Sequence, residues 1–264
     1  TEFDVADDIM AYFTASSGFL SGAMSQNGAV TQPQKSRSFE LGLKTRFWDR
    51  KAELNVALFS ARYSDLATTF QVPNPANPGS FITQSSNGGV INAKGIEVSG
   101  ALAPVRAWRI SFGAAYLDSE YGSFGLNLPG GFQVLNGAAP TNRFINLAGY
   151  RPPYTPEFSF SVATSYDVDA GFGYITPQVQ FRSSSSYFAH GGLPFDLSGF
   201  QKAFTQTDVR LAVSDYDRRY SLEFFVENIE DEMLNQRTQT GGDGLQQANW
   251  GLPRNYGVRV RLTF

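Results

Sequence analysis

The segment Asn255-Tyr256-Gly257-Val258-Arg259-Val260-Arg261-Leu262-Thr263-Phe264 decides the fold. Tyr256, Val258, Val260, Leu262 and Phe264 fall on one face; Gly257, Arg259, Arg261 and Thr263 fall on the other. A period of two marks a β-strand with two unlike sides. The apolar face opens and closes on an aromatic ring, eight residues apart. The same arrangement recurs at Phe39 and Phe47, at Trp108 and Tyr116, and at Phe158 and Tyr166. Between the rings that face holds Leu41 and Leu43, Ile110, Phe112 and Ala114, or Phe160 and Val162, and the opposite face holds Glu40, Lys44, Arg46, Arg109 and several serines. Eight residues at about 3.3 Å each span roughly 26 Å, or about 20 Å after a tilt near 40°. This is close to the height of the lipid-facing band between the aromatic girdles of a membrane β-barrel. The eight rings are therefore expected to be girdle residues, and the chain to be barrel wall.

Composition agrees. Of 264 residues, 14% are aromatic and only 17% charged, below the roughly 25% charged residues of ordinary soluble domains. Mean hydropathy is −0.24, and no apolar run approaches the 18 or so residues of a membrane helix. A barrel dilutes its apolar residues one-to-one with polar ones, which gives this balance. The net charge of −3 carries no polyanion-binding signature, so nucleic acid is not an expected partner. There is no cysteine, which removes thiol catalysis and disulfides.

Ten strands can be placed: Ile9 to Phe19, Ser38–Phe47, Ala52–Tyr63, Ala93–Ala103, Ala107–Leu117, Glu157–Tyr166, Phe172–Arg182, Phe204–Val213, Arg219–Asn228 and Asn255–Phe264. In the first, Met10/Tyr12 and Ile9/Phe13 compete for the apolar face. From the second to the tenth, the centre of the apolar face carries no charge, as expected where Lys or Arg at the bilayer midplane costs about 2–4 kcal/mol. Pro177, on that face of the seventh strand, lacks a ladder donor and predicts a bulge or kink. Val226-Glu227-Asn228-Ile229 breaks the alternation and predicts a bulge or strand exit.

Connections alternate too. Trp48–Lys51, Pro104–Arg106, Asp167–Gly171 and Ser214–Arg218 are tight turns, whereas 20–37, 64–92, 118–156, 183–203 and 229–254 are long and rich in Gly, Pro, Asn, Ser and Gln. Outer-membrane barrels have short periplasmic turns and long extracellular loops. With Phe264 at the periplasmic rim, every short turn falls on that side.

Five motifs then add a family resemblance. Ser17-Gly18-Phe19-Leu20-Ser21-Gly22, Phe39-Glu40-Leu41-Gly42-Leu43-Lys44, Lys94-Gly95-Ile96-Glu97, Val226-Glu227-Asn228-Ile229-Glu230-Asp231 and Arg254-Asn255-Tyr256-Gly257-Val258 resemble, in order, elements of the C-terminal half of a TonB-dependent outer-membrane receptor. Leu234 departs from that pattern, where an aromatic is common. The resemblance implies the C-terminal portion of a 22-stranded barrel, with residues 1–264 as barrel domain and the plug and first strands outside it. It implies a bacterial outer-membrane location. The implied partners are the bilayer, an N-terminal plug with the remaining strands, the TonB complex, and a small nutrient: siderophore, cobalamin, oligosaccharide or similar. An isolated wall of ten strands has two unpaired edges, and each unsatisfied backbone group in hydrocarbon costs several kcal/mol. Completion by more polypeptide is the expected solution; a small self-closed barrel serving as passive channel or adhesin is the alternative.

No catalytic set, metal site or cofactor motif is expected. His190 is the sole histidine, which weakens a hydrolase reading. Gly241-Gly242-Asp243-Gly244 and Asn87-Gly88-Gly89 lack the Lys-Ser/Thr of a phosphate loop. Asp7-Asp8, Glu230-Asp231-Glu232 and Asp215/Asp217 match no Ca²⁺ loop. Polar-face Lys44, Arg46, Glu97, Arg109, Arg210, Glu223, Glu227, Arg259 and Arg261 are expected to form structural pairs, with a substrate path as the sharper alternative. The loop candidates for ligand contact are Phe132, Arg143, Tyr150, Tyr154, His190, Gln239, Gln246, Gln247 and Trp250. Rings there offer flat apolar contact, and amides offer directional hydrogen bonds.

Overall fold

The computed structural model describes all residues except 25–27, 29, 74–75, 78–80, 128–143, 190–196, 241–245 and 264. One antiparallel sheet dominates it. Its strands are β1 (Glu2–Ala6), β2 (Ile9–Leu20), β3 (Gln34–Phe47), β4 (Ala52–Pro73), β5 (Phe81–Leu102), β6 (Trp108–Ser123), β7 (Phe158–Tyr166), β8 (Tyr174–Ser184), β9 (Phe204–Ser214), β10 (Tyr220–Glu227) and β11 (Asn255–Leu262). Neighbours in sequence are neighbours in the sheet. A stub, Val168–Asp169, pairs with the start of β8 and brings the sheet to twelve strands.

The registers keep like faces together. Phe13, Leu41, Leu58, Ile96, Tyr116 and Phe158 lie opposite one another across six strands. Among the described residues no second layer covers this face: Leu41, Leu58, Leu211, Phe224 and Val260 are all exposed. The polar face is the concave one. A hollow of about 670 Å³ is lined by Arg46, Glu53, Arg109, Gln178 and Arg210, which come from β3, β4, β6, β8 and β9. Distant strands share one space only if the sheet curls around it.

The face left open in the first predicted strand is now settled. The Tyr12 hydroxyl donates to Glu40 Oε1 at 2.5 Å, and the Lys44 ammonium lies 5.3 Å from the Tyr12 ring centroid. Phe13 instead stacks on Phe39, centroids 6.4 Å apart. Tyr12 therefore points inward with the charges and Phe13 outward. Gly42, directly opposite Tyr12, makes this possible, because a Cβ there would overlap the ring. Phe59 over Gly95 and Phe225 over Gly257 repeat the device.

Several sequence expectations need correction. β1 was unexpected; it is a five-residue edge strand with too few alternations to stand out. The 64–92 segment is mostly strand, since β4 runs to Pro73 and β5 begins at Phe81. A register shift between Tyr63 and Leu66, with Asp65 left-handed at φ 57°, interrupts the alternation there. Lys94-Gly95-Ile96-Glu97 consequently lies inside β5 rather than at its start. Pro177 causes no bulge: Gln178 faces Ser165 and Ile175 faces Val168, so the frame is unbroken. What is lost is the ladder between those pairs, as a missing donor requires. Phe264 lies outside the described residues.

The expected exit after Val226 is real. β10 ends at Glu227, and buried Asn228 takes a φ of 56°. Its amide donates to the carbonyls of Glu232 (3.0 Å) and Leu252 (3.1 Å), while its Oδ1 accepts from Glu232 N at 2.9 Å. Asp231 accepts from Arg254 N at 2.8 Å. The motif thus staples both ends of the last loop.

At the short-turn end, Trp48, Asp49 and Arg50 all have positive φ, and Lys51 N donates to Trp48 O at 3.0 Å. Positive φ at both central residues suits the turn that continues a right-twisted hairpin. Asp167 ties three neighbouring segments together. It accepts from Arg109 (2.8 Å), Arg218 (2.9 Å) and the Thr176 hydroxyl (2.7 Å). Burial alone pushes its carboxyl pKa up; the Thr176 hydroxyl and the two guanidiniums outweigh this and hold it below the ordinary value of 3.8. A depressed carboxylate contributes stability above the unfolded pKa, and that contribution is lost as pH falls through the folded value.

Two outcomes follow from this architecture. Val260→Arg is expected to destabilise insertion by about 2–4 kcal/mol, read from the folded fraction in lipid vesicles under urea, whereas Ser165→Arg on the concave face is expected to be tolerated. Asp167→Asn is expected to lower stability at neutral pH and to flatten the acid-side loss below about pH 4, measured by urea titration across pH.

Candidate functional site

The buried side chains gather in the long loops. Leu147, Ala189, Asn235, Thr238, Gln201 and Leu234 are buried, whereas the middle of the sheet holds almost nothing so enclosed. The long segments contain short hairpins of their own: Gly125–Asn127 with Phe144–Asn146, Tyr187–Phe188 with Phe200–Gln201, and Asn235–Thr240 with Gln246–Trp250. They were expected as irregular loops. Outside the membrane neither face of a hairpin must be apolar, so no clear period of two marked them.

One residue joins three segments. The Ala189 carbonyl accepts from the Tyr154 hydroxyl at 3.0 Å and from Thr238 N at 2.6 Å, while Ala189 N donates to Gly199 O at 2.6 Å. Around it, Asn235 N donates to Gln201 Oε1 at 2.6 Å, and Asn235 Nδ2 donates to Thr238 Oγ1 at 2.7 Å. A fully buried polar group costs about 1–3 kcal/mol when its partner is removed. This cluster therefore fixes the loops relative to one another.

An aromatic surface sits on it. Tyr154 and Tyr187 lie 6.5 Å apart, and Phe188 and Phe200 lie 5.3 Å apart. Burial pushes the Tyr187 phenol above its usual range, so at neutral pH it remains a hydrogen-bond donor. Trp250 faces Asn235 across its hairpin and is exposed; Gln246 and Gln247 face Thr240 and Gln239. Tyr150 belongs to a neighbouring unit, its carbonyl accepting from Tyr121 N at 2.9 Å. Of the sequence candidates, the structure thus brings Tyr154 to the node together with the strands that carry Gln239, Gln246, Gln247 and Trp250, while Tyr150 is bonded to Tyr121 in a separate unit. Phe132, Arg143 and His190 lie outside the described residues. Tyr187, Phe188, Phe200, Gln201, Asn235 and Thr238 were missed. The aromatic density of 187–200 was a usable signal for the first three; the amide and hydroxyl partners carried none.

The arrangement can hold a molecule by stacking and hydrogen bonding. Among the described residues, no three of His, Asp and Glu gather into a metal-binding group. Inside the curl, charges pair: Arg210 with Glu227 at 2.8 Å, Arg259 with Glu223, and Arg109 with Asp167. This favours the structural reading for Arg109, Arg210, Glu223, Glu227 and Arg259; Lys44, Arg46, Glu97 and Arg261 make no ion pair among the described residues.

A family model described as TonB dependent receptor-like, beta-barrel matches residues 1–229. Among solved structures, the ferric yersiniabactin uptake receptor FyuA from Yersinia pestis superposes with a TM-score of 0.74 at 16% identity, covering 100% of this chain and 36% of that one. The siderophore receptor PiuA from Acinetobacter baumannii gives 0.70 at 16% identity, covering 98% and 34%. BauA, the ferric preacinetobactin receptor of the same organism, gives 0.64 at 18% identity, covering 98% and 35%. The chain therefore spans about a third of the length of these proteins.

Asn235→Ala is expected to loosen the node by about 1–3 kcal/mol. Hydrogen exchange at the Ala189 and Thr238 amides should rise at least about fivefold while β9 and β10 amides stay protected.

Proposed function

The chain belongs to the TonB-dependent receptor-like β-barrel family, and on that premise we propose that it is the C-terminal wall and outer vestibule of an active importer. As a member of that family it is outer-membrane barrel, and its part in this proposal is transport, not catalysis. The importer captures a scarce small nutrient on its external loops and draws energy for uptake through TonB; a siderophore is the favoured class. The observation that carries this reading is the aromatic surface held on a buried hydrogen-bonded node, at the long-loop end of a wall whose edge strands β1 and β11 each pair on one side among the described residues. A wall with open edges in hydrocarbon calls for completion by further strands, and the chain's share of its structural neighbours fits that. Phe39, Tyr116 and Phe158 take the outer girdle level in this reading, with Phe47, Trp108, Tyr166 and the short turns toward the periplasm. Tyr256 completes the outer set.

The test is binding and uptake by the complete protein in cells, with a panel of ferric siderophores as probes. Tyr154→Ala and Trp250→Ala, both at exposed rings, are expected to weaken binding about tenfold or more, and uptake is expected to cease without TonB. Unchanged affinity in both variants would remove the loop surface from the reading; accumulation independent of TonB would remove active import.

A further inference from the structure

One seam of the wall is fastened by side chains where its neighbours are fastened by backbone. Between β7 and β8 the ladder runs unbroken from the Ser159–Ser184 row to the Ser165–Gln178 row. It resumes at Val168–Ile175, beyond two rows that make no bridge, Tyr166–Pro177 and Asp167–Thr176. The seams on either side reach the same rim intact, at Trp108–Tyr166 and at Tyr174–Ser214. The gap is therefore local, and its cause lies on one atom. Ser185 N donates across this seam to Phe158 O. Backbone nitrogens alternate sides along a strand, so the nitrogen of Pro177 also points at β7. It carries no hydrogen, and the Tyr166 carbonyl opposite loses that ladder bond.

Side chains bridge what the backbone leaves open. The Thr176 hydroxyl donates to Asp167 Oδ1 at 2.7 Å, one row beyond the proline. Asp167 Oδ2 holds Arg109 of β6 at 2.8 Å and Arg218 of the β9–β10 turn at 2.9 Å. The carboxylate is 9% exposed and Thr176 4%, so the rim they fasten encloses both. Arg218 also lies 5.4 Å from the Tyr174 ring, and Tyr216 of the same turn donates to Asp169 Oδ1 at 2.7 Å. The other charges nearby are engaged elsewhere or set apart. Asp169 also takes the Gly171 N–H, Asp215 takes the Tyr220 N–H, and Asp217 pairs with Arg219. Glu223, Arg259 and Arg261 share a hollow of about 140 Å³ with Thr176 and Arg218.

We propose that Asp167 is a proton-operated latch on the β7–β8 seam, and that this seam is where the wall opens first at its short-turn mouth. Ionised, the carboxylate neutralises two guanidiniums and ties the gap through Thr176. Protonated, it leaves Arg109 and Arg218 converging without an anion, and a neutral acid holds them far less strongly. The rows from Tyr166–Pro177 to the turn then part, while the seams on both sides keep their backbone bonds. The Asp167 carboxyl is held below the ordinary 3.8. The latch is therefore shut at neutral pH and released as pH falls through the folded value. The mouth can thus widen at one seam without loosening the others.

The test is amide hydrogen exchange, corrected for intrinsic rates, on the complete protein in lipid nanodiscs from about pH 6 to about pH 3. In wild type, Tyr166, Val168 and Ile175 are expected to exchange about tenfold faster at the acid end, with Ser111 and Ala212 in the flanking seams unchanged. Asp167→Asn is expected to show the fast exchange at every pH. Pro177→Val, which restores the donor, is expected to keep the seam shut throughout, alone or combined with Asp167→Asn. Level exchange in wild type, an equal rise at Ser111 and Ala212, a pH dependence retained in Asp167→Asn, or acid opening that persists in Pro177→Val would each overturn the proposal. If Asp167→Asn does not fold, the comparison of wild type with Pro177→Val still decides.

Discussion

A peptide group in hydrocarbon has no water to bond, so each must find its partner in the neighbouring strand. The rest of this structure depends on that requirement. It explains why the registers from β2 to β9 run on with few interruptions, and why the irregularities sit near the rims: the Asp65 shift toward the long loops, the Pro177 gap beside the short turns. It also explains why the described residues form no packed interior. The apolar side chains are not gathered away from solvent; they are spread over the outside of a curved sheet, where acyl chains replace a core.

Stability that a soluble domain draws from its centre is drawn here from two rims. At one, Asp167 collects Arg109, Arg218 and Thr176. At the other, Asn228 and the Ala189 node tie strand ends to loops. Between them the inner face is held by rings laid over glycines and by arginine–glutamate pairs. The wall is thus uniform in its middle and specific at its ends.

The strands in the membrane zone were legible because lipid on one side and water on the other write a period of two into the chain. Val258, Val260 and Leu262 against Arg259 and Arg261 could hardly be read otherwise. Legibility failed where that asymmetry ends. Thr68 to Val72 and Phe81 to Gln84 extend β4 and β5 beyond the bilayer, and there the pattern decays. The loop hairpins were hidden for the same reason. Of the loop node, Tyr154 and Trp250 could be picked out by residue type, but Ala189 could not, because its contribution is made by backbone atoms that every residue possesses. The Asp167–Arg218 contact likewise needed the fold; 51 residues separate the two in the sequence.

One carbonyl oxygen, that of Ala189, receives donors from two different segments. If this end is the capture surface proposed above, the conformational entropy of those segments is surrendered on folding and not again on binding. A molecule whose shape agrees with the surface binds without an ordering cost, and one whose shape disagrees meets a surface that does not yield. Selectivity in such a vestibule comes from stiffness as much as from complementary groups.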